Sequence, residues 1–290
     1  MKMVAVIGLG IMGSAISANL VRAGFAVTGY DVVARKRTAL SKAGGRAAPG
    51  IATAVRDAPF VITSLPSSEA LLDVATGIAH VGRPRQLVIE TSTLPIAVKE
   101  EARGILAKRG VTLLDCPLSG TGAQAKTRDL GVYASGPREA CRRCAPVLEG
   151  FARAHFYLGE FGAGSRMKFL ANLLVAINNV SAAEALTLAK RAGIDPALAV
   201  TVLADGAGSS RMLQVRGPMM ARGKYKPATM KVRTWQKDMG IIADFARGLG
   251  AATPLFDTTA AIYDAAMAQG FAEADTAAVF AVLQRLSRRG

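Results

Sequence analysis

The six residues Gly8-Leu9-Gly10-Ile11-Met12-Gly13 lie between a β-rich run at 4–7 and a helical pattern at 11–23. No other stretch constrains the fold as tightly. Each glycine answers a separate physical need. Gly8 permits a tight turn, Gly10 lets the backbone approach a pyrophosphate, and Gly13 lets a helix pack closely on a strand. The helix that begins here directs unpaired N–H groups and the positive end of its dipole at that phosphate, with Leu9, Ile11 and Met12 completing the turn. A second β-rich run at 25–30 ends in Asp31, eighteen residues beyond Gly13, where a ribose-binding acid is expected. A carboxylate there accepts bonds from ribose hydroxyls and repels a 2′-phosphate, which favours NAD(H). The adjoining Arg35-Lys36-Arg37 either holds a 2′-phosphate, keeping NADP(H) open, or forms the polar face of the next helix.

The β/α alternation continues for half the chain. Runs at 60–64, 86–91 and 111–115 read as strands. They are followed by Leu65-Pro66-Ser67-Ser68, by Ser92-Thr93-Leu94-Pro95 and by Cys116-Pro117-Leu118-Ser119-Gly120. Polar and glycine residues directly after strand ends are where an open parallel sheet binds ligands. Ser92 and Thr93 can also cap a helix starting at Pro95. Runs at 130–135 and 155–158 are expected as closing strands of the same sheet, and the alternation stops near Gly159.

Beyond that point nearly everything reads as helix. A long apolar pattern covers 167–192, and Lys168 and Asn172, four residues apart, fall on one face a turn apart. Its interior Asn172, Asn178, Asn179 and Ser181 would be costly if buried without partners. Gly193-Ile194-Asp195-Pro196 ends it and caps the next helix; more helices, including 237–249 and 258–268, are expected through Arg289. So apolar a helix should pack against a helical domain and a second subunit, giving a homodimer or homotetramer. The expected fold is an α/β Rossmann domain over 1–161, then an all-α domain over 162–290 for substrate and oligomerisation, joined by a long interdomain helix.

Bulk properties narrow the classes. The chain has 290 residues, 51% hydrophobic and 6% aromatic, which suits two ordinary domains with cores of Ala, Val, Leu and Ile and excludes wholesale disorder. No apolar run reaches the roughly 20 residues that span a bilayer. The start, Met1-Lys2-Met3-Val4, runs into glycines and reads as a first strand, so a cytoplasmic protein with no membrane partner is expected. Three cysteines, Cys116, Cys141 and Cys144, make neither a disulfide framework nor a metal site, and His80 and His155 read as strand-end or loop residues. The net charge of +15 is spread without aromatic interleaving or a nucleic-acid motif. It fits a small anionic substrate or a solvated surface better than nucleic acid.

Taken together these blocks resemble the β-hydroxyacid dehydrogenase family, which includes 3-hydroxyisobutyrate dehydrogenase, tartronate semialdehyde reductase and 6-phosphogluconate dehydrogenase. The match runs over essentially the whole chain: the glycine run with Asn19-Leu20, Leu65-Pro66, Ser92-Thr93 with Pro95, Asp115 to Gly120, Gly164 with Lys168 and Asn172, and Lys237-Asp238. The resemblance implies Lys168 as catalytic residue and Asn172 as its substrate-orienting neighbour. It implies Ser119 and Gly120 on the substrate carboxylate, Leu65, Pro66, Thr93 and Lys237 lining the cofactor site, and Asp238 positioning Lys237 or the substrate. The chemistry suits these types. Carbonyl reduction develops negative charge on oxygen, and a lysine ammonium stabilises it and donates the proton, with neutral lysine acting in reverse.

Three departures from the family pattern surround the substrate. Thr121 stands where a second glycine is usual, Arg128-Asp129-Leu130 replaces Gly-Thr-Leu, and Met230 replaces a pocket phenylalanine. Thr121 and Met230 are therefore expected substrate contacts. Arg128 either pairs a second substrate carboxylate or engages the surroundings of Asp129 or solvent. Two rivals share the fold: an imine reductase, and a nucleotide-binding, chromatin-type module without turnover. The resemblance argues against both, because relatives of those kinds have no need of a lysine at position 168.

Overall fold

Five strand ends line up in one row, and that row organises the first half of the molecule. A computed structural model describes residues 2–287 and divides into two compact units, Met1–Lys168 and Phe169–Gly290. In the first unit β1 (Met3–Ile7), α1 (Ile11–Arg22), β2 (Ala26–Tyr30), α2 (Ala34–Lys42) and β3 (Arg46–Ala47) build one side of a sheet. Then α3 (Ile51–Val55), β4 (Phe60–Thr63), α4 (Ser68–Val81), β5 (Leu87–Glu90), α5 (Ile96–Ala107) and β6 (Thr112–Asp115) build the other. The six strands are parallel in the order β3-β2-β1-β4-β5-β6. Register places Ile7 beside Tyr30 and Thr63, Thr63 beside Glu90, and Glu90 beside Asp115. The order reverses at β1, so the crevice at the carboxyl ends opens where the glycine run leaves that strand.

Strands buried on both faces need nearly continuous apolar sequence. The β1, β4 and β5 segments supply it, with Val4, Val6, Ile62 and Ile89 packed on one side and Ala5, Val61 and Val88 on the other.

The expectation of a single sheet is corrected. After β6 come β7 (Leu118–Ser119), α6 (Gly122–Lys126), β8 (Gly131–Ala134), α7 (Arg138–Phe151) and β9 (Ala154–Tyr157). Strands β7, β8 and β9 form a separate three-stranded sheet, with β7 antiparallel to β8. A bridge between Asp115 and Ser135 joins it to β6. Pro117 explains the break, because it has no N–H to continue the ladder and its carbonyl is taken by Tyr133 N–H at 3.0 Å. His155 lies in β9 as expected, but His80 lies in the last turn of α4.

One long helix, α8 (Ala163–Arg191), begins in the first unit and continues into the second. The second unit then holds α9 (Pro196–Asp205), α10 (Arg211–Arg222), α11 (Val232–Gly248), α12 (Pro254–Ala268), a 3₁₀ turn at Thr276–Ala278 and α13 (Val279–Leu286). The helix expected to run to Arg289 is described only through α13, since Met1 and residues 288–290 lie outside the described residues. By length and composition α8 could cross a bilayer. Its polar interior instead finds partners inside the unit: Asn179 Nδ2 donates to Tyr263 Oη at 2.8 Å and to Thr276 O at 3.0 Å. That is the pattern of a core helix, whose buried amides are satisfied by protein. Asp275, fully buried, holds Arg216 at 3.3 Å and accepts the N–H groups of Thr229 and Met230.

Candidate active site

The glycine run forms the turn its spacing predicts. Gly8 sits at φ 91°, open to few residues but glycine, and any side chain there would strike Ser64 O. Gly10 caps α1 with no side-chain bond, no acid lies in the helix's first turn, and the space above Gly10 is open. Those N–H donors and that open space fit a pyrophosphate. Leu9 N–H is committed elsewhere, to Asp31 Oδ2 at 2.8 Å, so the acid of β2 is tied to the turn itself.

Asp31 also accepts from Val33 N–H at 2.9 Å and Lys36 Nζ at 3.0 Å. Burial alone would raise this carboxyl; the bonds from Val33, Lys36 and Leu9 outweigh it and hold it below the usual range. A carboxylate has about four acceptor positions. Three are filled, which leaves room on Oδ1 for one ribose hydroxyl. Arg37 leans over the Tyr30 ring and donates to Asp31 O at 2.6 Å. The basic run is therefore bound to the strand end rather than being only a solvated helix face.

At the next strand ends, Leu65 N–H donates to Ser92 Oγ at 2.8 Å. Of the two readings of Ser92, capping of α5 is the one the structure does not bear out. Pro95 occupies the cap position of α5, and the Ser92 hydroxyl links two turns instead. Pro66 follows Leu65 and Thr93 follows Ser92 in these two turns.

The loop after β6 carries Ser119 at the end of β7, then Gly120 at φ 131°, where a Cβ would lie 2.6 Å from Leu130 Cδ2. Thr121 precedes α6, and Gln124 Oε1 accepts its N–H at 3.0 Å and its hydroxyl at 3.3 Å. The short α6 is seated on α1: Asn19 Nδ2 donates to Ala125 O at 2.7 Å, and Gly122 has Ile11 where a side chain would be. Arg128 donates to Glu149 O at 2.5 Å. Of its two sequence readings the structure supports engagement within the protein.

The start of α8 is fastened to the carboxyl end of β6. Gly164 N–H donates to Ser135 Oγ at 2.9 Å, Ser165 N–H to Asp115 Oδ2 at 2.7 Å, and Ser165 Oγ to Asp115 Oδ1 at 2.8 Å. A Cβ on Gly164 would lie 2.7 Å from Asp115 O and 3.1 Å from Pro117 Cδ, and against Tyr133 O. Lys168, half-buried, stands one turn further along. In the second unit Asn172 Nδ2 donates to Asp238 Oδ2 at 3.1 Å, and Asp238 Oδ1 lies 3.3 Å from Lys237 Nζ. These three come together as the family blocks suggest, and the Met230 N–H donates to Asp275 Oδ2 at 3.1 Å.

Sequence reasoning missed Glu90, Lys99, Asp115, Ser135 and Ser165, which form a fully buried polar cluster at these strand ends. The available signal was an acid closing each of two otherwise apolar strands, at Glu90 and Asp115. The three cysteines are buried thiols. Burial pushes Cys141 up to about 11 and Cys144 up to about 12, which removes thiolate reactivity at neutral pH. Among the described residues no cluster could hold a metal ion.

A parallel sheet with a glycine turn at the carboxyl end of β1 and an acid closing β2 is the arrangement of a dinucleotide-binding domain. Comparison with known proteins narrows the class. Residues 3–159 match the model for the NAD binding domain of 6-phosphogluconate dehydrogenase, and residues 162–283 match that for NAD-binding of NADP-dependent 3-hydroxyisobutyrate dehydrogenase. The chain is 32% identical to an L-threonate dehydrogenase of Cupriavidus necator, covering 99% of this chain and 98% of that one. It is 30% identical to an NAD-dependent L-serine dehydrogenase of Pseudomonas aeruginosa, covering 99% and 98%. A crystal structure of 3-hydroxyisobutyrate dehydrogenase from Salmonella typhimurium superposes with a TM-score of 0.88 at 29% identity, covering 97% and 100%. The chain belongs to the β-hydroxyacid dehydrogenase family. It is an NAD(P)-dependent oxidoreductase, with NAD(H) favoured and NADP(H) possible.

Proposed function

We propose that the enzyme interconverts a small β-hydroxy acid and its semialdehyde or ketone, with Lys168 as general acid and base. The nicotinamide supplies or accepts the hydride. In the reducing direction the Lys168 ammonium donates a proton to the carbonyl oxygen; in the oxidising direction the neutral amine removes it from the hydroxyl. Ser119 and Gly120 hold the substrate carboxylate, and Thr121 borders it. Asn172, a turn beyond Lys168, orients the substrate, and Asp238 in turn orients Asn172. Met230 lines the side-chain pocket. Leu9, Ile11, Met12, Leu65, Pro66, Thr93 and Lys237 line the cofactor. The anchoring of Gly164 and Ser165 at the end of β6 carries this reading, because the same strand end leads into the Ser119 loop.

Three relatives bear the names of L-threonate, L-serine and 3-hydroxyisobutyrate dehydrogenases. Those compounds share a carboxylate and a hydroxyl on the β carbon, which supports the substrate class. Exposed Leu170, Leu174 and Leu188 on α8 support a homo-oligomer. A cytoplasmic location suits the cofactor.

The test is Lys168→Ala, followed by turnover and by nicotinamide fluorescence for cofactor binding. General acid–base catalysis contributes about 10²–10⁴-fold, so kcat should fall by at least about 10² while NADH binding stays near normal. Unchanged turnover would end the assignment. Oxidation of NADH and NADPH against tartronic, succinic and methylmalonic semialdehydes and glyoxylate identifies the substrate. A cyclic imine and a DNA column at physiological salt serve as the rival arms.

A further inference from the structure

We infer that Lys99 is a positioning residue for this reaction. Its buried ammonium ties the strand end carrying the Ser92–Thr93 turn to the strand end that anchors α8, and so sets where Lys168 stands against the cofactor wall. The inference rests on the reading of Lys168 as general acid and base.

Lys99 projects from the first turn of α5 and is fully buried. Its Nζ makes three contacts: Ser92 O at 2.7 Å, Asp115 Oδ1 at 2.8 Å and Glu90 Oε2 at 2.7 Å. The first two are hydrogen bonds and the third is an ion pair. On the Glu90 side, Glu90 Oε1 accepts Ser92 N–H at 2.9 Å, and Ser92 Oγ accepts Leu65 N–H. Leu65 and Thr93 are thus held, at one or two removes, by Lys99. On the Asp115 side every remaining acceptor faces α8. Oδ1 also takes the Ser165 hydroxyl, while Oδ2 takes Ser165 N–H and the Ser135 hydroxyl, which in turn accepts Gly164 N–H. Lys168 follows three residues later on the same helix.

The charges explain why this linkage is stiff. Two carboxylates share one ammonium, and the first N–H groups of α8 meet the remaining negative charge. In a fully buried site each of these bonds resists displacement far more than it would in solvent. Burial would lower the Lys99 ammonium, but Glu90 and Asp115 push it up to about 12, so it stays charged throughout the working range. An apolar filling could hold the two strands together equally well. It could not set the α8 turn through directed bonds.

The experiment separates positioning from folding. Lys99→Met leaves two buried carboxylates facing each other and destabilises the fold, so the informative protein is Glu90→Gln with Lys99→Met, which removes one charge of each sign. Ser165→Ala cuts only the tie to α8. A misplacement on the order of 1 Å near the reacting atoms costs up to about 10²-fold. The folded double variant should therefore lose about 10–100-fold in kcat. NADH Kd should stay within about threefold, and KM should change less than kcat. Ser165→Ala should lose about tenfold in kcat alone, and adding it to the double variant should cost little more, since both act through one linkage. A double variant with wild-type kcat, or a Ser165→Ala loss that multiplies fully with it, would overturn the inference. If instead Lys168→Ala keeps its turnover, the reading of the site has failed and not merely the role of Lys99.

Discussion

Gly164→Ala tests how tightly the start of α8 is seated. The new Cβ would lie 2.7 Å from Asp115 O and 3.1 Å from Pro117 Cδ, and against Tyr133 O. All three neighbours belong to fixed structure. Two are carbonyls whose strands meet at the Asp115–Ser135 bridge, and the third is a proline ring. Carbon–oxygen contacts settle at about 3.3–3.6 Å, so the first turn of α8 must lift by roughly 1 Å. Overpacking of this kind costs about 1–3 kcal/mol. At roughly 2–4 °C per kcal/mol for a unit of this size, the melting temperature should fall by about 2–12 °C. Lys168 rides one turn further along the same helix, and a displacement of about 1 Å can cost about 10²-fold, so kcat should fall by about 10–100-fold. Asp31 and the glycine run are far from the change along the chain, so NADH binding by fluorescence should stay within about twofold. Stopped-flow turnover, calorimetry and cofactor titration on one preparation decide the matter. A variant with unchanged melting temperature and kcat within twofold of wild type would refute the idea that close packing at Gly164 places Lys168.

Two other predictions follow from charged groups. Asp31→Ala removes an acceptor for the ribose and for Lys36; loss of a charged hydrogen bond is worth about 1.5–3 kcal/mol, so the NADH Kd should rise about 10–100-fold. NADPH binding should suffer less, because Lys36 is released for a 2′-phosphate; fluorescence titration of both cofactors checks this. Asp275→Asn should lower stability by about 3 kcal/mol at neutral pH by leaving Arg216 buried without its counter-charge. Burial would raise the Asp275 carboxyl, but Arg216, Ala277 N–H and the Thr229 hydroxyl hold it below the usual 3.8. A depressed acid stabilises the fold above its unfolded value and loses that contribution as pH falls through its folded value. The gap between wild type and variant in urea unfolding should therefore be widest at neutral pH and shrink below about pH 4.

What could be read beforehand follows from how local each feature is. Strand, glycine turn and helix over residues 3–22 depend on near neighbours, and the elements fell where the pattern predicts. The long helix was legible from its apolar period, though it starts four residues earlier, because Gly164 and Ser165 are stabilised by Ser135 and Asp115 from distant strands. The split of the sheet was not legible. Residues 131–134 have ordinary strand sequence, and only Pro117, sixteen residues before Tyr133, redirects their pairing. The buried cluster was hidden for a similar reason: Lys99 in isolation looks like a solvent-facing residue of an amphipathic helix. Arg128 was ambiguous because its partner, Glu149 O, is a main-chain atom that leaves no trace in side-chain pattern.

The seating of α6 on α1 bears on how such an enzyme can change its diet. The short helix after Thr121 is held by Asn19 gripping a main-chain carbonyl and by Gly122 lying flat on Ile11. Neither hold uses the side chain of Thr121, Arg128 or Met230. Thr121 serves α6 in another way, as its cap through Gln124, so exchanging it would disturb the helix start. Arg128 and Met230 take no part in these holds, and they are the positions at which selection can depart from the family pattern in small steps while the seating of α6 on α1 stays intact.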